Sequence, residues 1–181
     1  MKKMLVVGIV VALVIGALAA PALADIRIKG GWFMPTDKED NGPYATFPED
    51  GIFFGAEMVS TLGDTLGLGI GADYFQSNQT LENVGLPLEA LNASYRVIPI
   101  SATAYLYPTS GLYIGAGIGY YLANVTVGEE SEDKSGFGYH GVAGYQITDL
   151  IFVEGRYSTC TISDWGGWDA GGISIAAGLS F

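Results

Sequence analysis

The chain ends on a strict alternation. In Ile173-Ser-Ile-Ala-Ala-Gly-Leu-Ser-Phe181, one set of alternate positions holds Ile173, Ile175, Ala177, Leu179 and Phe181. The other set holds Ser174, Ala176, Gly178 and Ser180. Successive side chains of a strand point to opposite faces, so this segment is apolar on one face and small or polar on the other. An apolar outside and a polar inside is the pattern of a membrane-spanning β-strand. Such strands need roughly 9–11 residues to cross a bilayer when tilted. The alternation predicts eight of them, over 25–34, 51–61, 65–76, 89–107, 111–124, 136–147, 150–160 and 171–181.

The outward set is apolar throughout. It includes Ile26, Ile28, Trp32 and Met34 in the first segment, Ile52, Phe54, Ala56 and Met58 in the second, and Leu66, Leu68, Ile70, Ala72 and Tyr74 in the third. Residues 111–124 are the cleanest case. Leu112, Ile114, Ala116, Ile118, Tyr120 and Leu122 alternate there with Tyr113, Gly115, Gly117, Gly119 and Tyr121. The fourth segment breaks the rule. Leu91, Ala93, Tyr95 and Val97 are odd, whereas Ile100, Ala102, Ala104 and Leu106 are even. If the apolar set faces outward in both halves, an extra residue at Ile98-Pro99 must restore the facing, which predicts a β-bulge there. The connections alternate in length. Tight turns at 62–65, 108–111 and 148–149 alternate with longer polar connections near 35–50, 77–88, 125–135 and 161–170. Short turns on the periplasmic side and long loops outside is the arrangement of outer-membrane barrels.

The N-terminus supplies the route out of the cell. Lys2 and Lys3 precede an unbroken apolar run from Met4 to Ala20, and Pro21-Ala-Leu-Ala24 offers a small-x-small cleavage signal. The pattern is a secretory signal peptide over 1–24, cut after Ala24. An uncleaved anchor is the competing reading, but the run is short for a span. Cleavage leaves residues 25–181, one domain of 157 residues with a formal charge of −13. Such a charge argues against a nucleic-acid partner, which needs a basic face. The chain's 27 Gly, 11 Tyr and 8 Phe suit crowded, tilted strands with aromatic belts at the membrane interfaces. Cys160 is the only cysteine, so no internal disulfide can form and strand pairing must hold the fold.

A soluble β-sandwich also has about eight alternating strands. Its charges face solvent and its apolar residues share a core. Here the outward set carries no Asp, Glu, Lys or Arg in any of the eight segments. The expected fold is therefore all-β, an eight-stranded antiparallel transmembrane barrel.

Gly111-Leu-Tyr-Ile-Gly-Ala-Gly-Ile-Gly-Tyr-Tyr121, Tyr95-Arg-Val-Ile-Pro99 and Val153-Glu-Gly-Arg-Tyr157 resemble the β-barrel domain of small Gram-negative outer-membrane proteins. That group includes OmpX-like, OmpW-like and opacity-type proteins. The resemblance covers residues 25–181. It implies an outer-membrane location among lipids and lipopolysaccharide. It also implies that Phe181 is an assembly signal read by the barrel-assembly machinery. Members serve as adhesins, stress-response proteins or small channels, so the resemblance defines a fold and leaves the role open.

Inside the barrel the alternation places Arg27, Lys29, Arg96 and Arg156 against Glu57, Asp73 and Glu154. Eight strands enclose an interior that side chains just fill, and buried charges must be paired. The expectation is a salt-bridged plug. A conduction path is the alternative, because the inward glycines leave room.

His140, the only histidine, faces inward. Outer-membrane lipid A deacylases place a serine two residues after their histidine, on the lipid face. Val142 stands there instead, so no nucleophile completes a triad and no catalytic residue is assigned. One His and one Cys on separate strands give no metal-ligand set, and no cofactor is implied.

The loops are acidic, with Asp37, Glu39, Asp40, Glu49 and Asp50 in the first and Glu129, Glu130, Glu132 and Asp133 in the third. Divalent cations favour such oxygens, although charge runs of this kind usually stay solvated. Trp165 and Trp168 in the fourth loop either contact host or cell-surface ligands or belong to an aromatic girdle. The leading expectation is a non-enzymatic structural or surface-interaction protein. The alternative is a small channel for ions or modest solutes.

Overall fold

The computed structural model describes residues 24–36, 48–81, 91–127, 130–162 and 168–181. The leader, the acids of the first loop at Asp37, Glu39 and Asp40, and Trp165 lie outside the described residues. So does the side chain of Trp168.

Among the described residues ten strands follow one another: β1 Ala24–Pro35, β2 Gly51–Leu62, β3 Leu66–Leu81, β4 Leu91–Leu106, β5 Leu112–Val127, β6 Glu130–Gln146, β7 Ile151–Thr159, β8 Thr161–Ile162, β9 Trp168–Asp169 and β10 Gly172–Ser180. Eight close a barrel in the order β1-β10-β7-β6-β5-β4-β3-β2, every pair antiparallel. The short pair β8-β9 stands apart, within the fourth loop. Closure satisfies the backbone groups that an open sheet edge would expose to lipid. At the seam, Ile26 N–H donates to the Phe181 carbonyl at 3.0 Å and Phe181 N–H to the Ile26 carbonyl at 2.9 Å.

The outward face is an apolar belt. Ile26, Ile28, Phe54, Leu68, Ile114, Ile118, Phe137, Tyr139, Ile175 and Phe181 are all well exposed. In water such a surface would aggregate; in a bilayer it is solvated by acyl chains. Among the described residues no helix is long and apolar enough to cross a membrane, and the crossing elements are strands.

Two expectations about elements are corrected. The bulge at Ile98-Pro99 does not form. The β4–β5 register runs unbroken from Ala93↔Val127 to Leu106↔Ile114. On the other side Ala72↔Ile100 and Phe75↔Val97 share one register, and only the pairs opposite Ile98 and Pro99 drop out of the ladder. Proline has no N–H to give, which accounts for the interruption. Odd positions of β4 therefore face inward along its described length, so Ala93, Tyr95 and Val97 are buried and Arg96 is exposed. The reason is packing. Tyr95 and Val97 join Phe53, Phe75, Tyr121 and Ala123 in an apolar cluster that fills one end of the interior. An apolar residue there belongs inside.

The third connection is also not the loop expected over 125–135. β5 and β6 continue as a hairpin to Val127↔Glu130, which places Glu130, Glu132 and Asp133 in a strand. β3 and β4 likewise stay paired to Leu81↔Leu91. One side of the barrel, β3 to β6, is thus built from strands of 16 or 17 residues, against 9 to 12 for β1, β2, β7 and β10. The long side forms a wall rising past the short side.

Candidate functional site: the barrel interior

Three layers fill the lumen. The layer nearest the long connections is the apolar cluster of Phe53, Phe75, Tyr95, Val97 and Tyr121. Cys160, Ile162 and Ala170 fold in over it from the base of the fourth loop. Asp169 holds that base in place. Its carboxylate accepts from the Cys160 N–H at 2.6 Å and the Gly171 N–H at 2.8 Å, and from the Thr159 hydroxyl.

The middle layer is ionic. Lys29 on β1 donates to Glu154 Oε1 on β7 at 2.7 Å, and its Nζ lies 3.6 Å from Asp73 Oδ1 on β3. Arg156 on β7 donates through Nη1 to Asp73 Oδ2 at 3.1 Å, with Nη2 3.5 Å from Glu154 Oε1. Two cations and two anions thus alternate in a ring that spans the lumen. The ring joins strands that are not neighbours in the sheet, so it ties the barrel across its interior. Both carboxylates and both cations are shielded from solvent, with side-chain exposures of 2% to 13%.

The third layer, toward the tight turns, is aromatic and ionic together. The Tyr105 hydroxyl stands 2.8 and 2.7 Å from the two oxygens of Glu57 and donates its proton to that carboxylate. Tyr113 donates to Glu154 Oε2 at 3.2 Å. Arg27 gives one hydrogen bond, from Nη2 to the Tyr107 hydroxyl at 3.3 Å. Its guanidinium carbon lies 4.9 Å from the ring centre of Tyr113, 5.4 Å from Phe152 and 5.5 Å from Tyr105, a cation held by ring faces. His140 also faces inward, its Nε2 2.9 Å from Thr103 Oγ1, with the ring against Gly117.

Six of the seven charged residues read from the alternation therefore meet in the lumen. Arg27, Lys29 and Arg156 balance Glu57, Asp73 and Glu154. The seventh, Arg96, does not join them. It lies on the outer face, for the reason given for β4. Tyr107, Phe53, Phe75 and Phe152 are interior residues that the charge pattern did not single out. The parity of their strands is the signal that finds them, because each is offset by an odd number from an outward neighbour.

Little space remains. A cavity of about 30 Å³ lies between the apolar cluster and the ionic ring, lined by Phe75, Pro99, Ser101, Arg156 and Ser158 among others. That holds a water molecule or two. A wider mouth of about 290 Å³ opens at the tight-turn end, around Asp25, Arg27, Tyr107, Asp149 and Phe181. The ring and the tyrosines lie between these two spaces. The inward glycines do not leave a lumen. The Tyr113 ring fills the place a side chain on Gly144 would take, and Glu57 and Tyr105 crowd Gly69 in the same way.

A closed eight-stranded barrel with an apolar exterior and a packed ionic interior is the architecture of a small outer-membrane protein. The chain belongs to the outer membrane protein beta-barrel domain family, whose model matches residues 10–181. It is an integral outer-membrane barrel.

Solved structures agree in fold. The attachment invasion locus protein Ail of Yersinia pestis, solved with the heparin analogue sucrose octasulfate, superposes with a TM-score of 0.65 at 11% identity. That match covers 88% of this chain and 99% of Ail. OprG of Pseudomonas aeruginosa gives 0.55 at 16% identity, over 88% of this chain and 96% of OprG. No curated protein sequence matches the chain.

Proposed function

We propose that this protein is a closed barrel that anchors a surface-interaction element, the tall wall of β3 to β6. The observation that carries the reading is the filled lumen, in which a charge-neutral ring lies between two packed layers. A neutral ring leaves no net charge to select an ion, and the aromatic layers leave no aqueous path. Function then falls to what projects from the membrane. The wall supports this, because its β5–β6 hairpin stands well beyond the end of β7 and presents a polar surface. Ail was solved with a heparin analogue. The acidic hairpin of this chain disfavours a polyanion of that kind at the wall tip, and a neutral or basic partner fits better. The expected result is that cells displaying the protein bind host cells or matrix. Replacing 124–133 by a tight turn should abolish binding while the barrel still folds. Equal binding by the shortened form would sink the reading.

One observation favours a second reading, a small channel. The β3–β4 ladder is interrupted opposite Ile98 and Pro99, and Pro99 also lines the small cavity. A lateral path for modest solutes would start there.

Export and assembly complete the proposal. β1 begins at Ala24, so cleavage after that residue frees Asp25 beside the seam that Phe181 closes. The terminal Phe181, exposed on the outer face, is available to the barrel-assembly machinery.

A further inference from the structure

The buried cations of the lumen are not equally served. Lys29 and Arg156 are each ion-paired with Asp73 and Glu154. Arg27 is only 4% exposed, yet its Nε and Nη1 have no hydrogen-bond partner among the described residues. Its one hydrogen bond, to Tyr107, is long at 3.3 Å, and the ring faces of Tyr105, Tyr113 and Phe152 surround the guanidinium. Glu57, the carboxylate of the same layer, is engaged by Tyr105 instead. Arg27 also lines the mouth of about 290 Å³ that opens at the tight-turn end.

The rim of that mouth has the opposite charge. Asp25 precedes Arg27 by two residues on the same face of β1, about 7 Å along the strand at roughly 3.3 Å per residue, and it is exposed. Asp149, also exposed, stands in the turn between β6 and β7. That turn is held by other groups. Gln146 Nε2 donates to the Asp149 carbonyl at 3.2 Å, and the Thr148 hydroxyl accepts from the Leu150 and Ile151 N–H groups at 3.2 and 3.0 Å. No described residue forms an ion pair with Asp25 or Asp149. Cleavage after Ala24 would add one ammonium at Asp25, which the two rim carboxylates still outnumber. Between base and rim the wall carries the hydroxyls of Thr61, Tyr107 and Ser180. Tyr105, Tyr113 and the ionic ring close the space from above, so it is blind.

We propose that this mouth is a docking site for the free end of a short peptide, with its carboxylate on Arg27 and its ammonium at Asp25 and Asp149. A plain anion would have to pass two carboxylates to reach Arg27, and a plain cation would meet the guanidinium at the base. A zwitterion satisfies both. The spacing selects a peptide over a single amino acid. An extended dipeptide holds its end charges about 7 Å apart, at roughly 3.3–3.6 Å per residue, which matches the step from Arg27 to Asp25. A single amino acid spans about half of that and cannot bridge the two. The volume sits at the small end of ligand pockets, which run from roughly 300 to 1,000 Å³. A carboxylate entering beside Tyr107 replaces the long hydrogen bond there. As the guanidinium turns, it pairs in fork geometry with a nitrogen that is now without a partner. The site lies at the opposite end of the barrel from the wall and is independent of it.

The test is an NMR titration of refolded protein in nanodiscs, reading the amide shifts of Gly111 and Ser180. The probes are glycylalanine, N-acetylalanine (the same skeleton without the ammonium), glycylalaninamide (without the carboxylate) and alanine. The expected result is a saturable shift with glycylalanine. The other three should bind about tenfold more weakly, the loss of one charge-assisted contact. Asp149→Asn, on an exposed turn, should weaken glycylalanine about tenfold and leave N-acetylalanine where it was. Arg27→Gln should abolish the preference for glycylalanine over glycylalaninamide. If that variant fails to fold, the parent's two half-probes and Asp149→Asn decide the matter alone. No saturable shift in the folded parent, or equal binding of glycylalanine and either half-probe, overturns the site. So does equal binding of alanine, or an Asp149→Asn variant that weakens N-acetylalanine as much as glycylalanine.

Discussion

Glu154 has three polar partners inside the barrel. One of its oxygens meets both Lys29 and Arg156, and the other accepts from Tyr113. Removing one partner of a buried ion pair strands the rest, at a cost of about 3–5 kcal/mol. Glu154→Ala should lower the folding stability by about that amount in urea titrations in lipid, whereas Arg96→Ala should change it by less than about 0.5 kcal/mol. Equal effects would mean that Arg96 also sits inside. Gly144→Val tests packing at the same scale. The Tyr113 ring occupies the space a side chain would need, so the variant should lose the heat-modifiable folded band on gels. The inward charges at 27, 29, 57, 73, 154 and 156 were legible because each falls on the polar parity of a cleanly alternating strand. Arg96 was not, because its apolar neighbours Tyr95 and Val97 look lipid-facing on pattern alone. Only the apolar cluster they enter shows that greasy residues also line the lumen.

Among the elements, β4 carries both the error and its explanation. The change of apolar parity at Ile98-Pro99 is real, and it marks where the outer face turns from apolar to polar rather than where the strand bulges. Below that point the outside is apolar because lipid covers it. Above it the outside is polar, with Arg96, and the inside is apolar. The same effect hid the ends of β5 and β6. At the end of β5 only Ala123, Val125 and Val127 alternate with Asn124 and Thr126, and residues 130–135 of β6 hold no apolar side chain, so the stretch reads as a loop. Pairing to Val127↔Glu130 extends it nonetheless. Pro99→Ala restores an N–H to the interrupted β3–β4 ladder. Amide exchange at Asp73 and Tyr74 should slow in that variant, and unchanged exchange would place the weakness elsewhere. The tight turns at 62–65 and 108–111, read from the short gaps between alternating segments, do form, and Gly63 and Gly111 adopt positive φ in them.

At the scale of the whole molecule, the number of barrel strands and the tight turns followed from the two-residue period, whereas the long connections over 77–88 and 125–135 turned out to be largely paired strand. What the period could not give was the state of the lumen, because filling depends on which side chains meet across the barrel. Lys29, Asp73, Glu154 and Arg156 come from three strands, and only closure brings them together. On the function proposed above, that ring makes the interior a core rather than a pore, and the central claim is that it stays shut. The direct measurement is single-channel current of the refolded protein in a planar bilayer, with folding checked on the same sample. The account predicts a silent membrane for the parent. Discrete current steps from the parent, shifting in size when Asp73 or Glu57 is neutralised, would contradict it and make the protein a small channel.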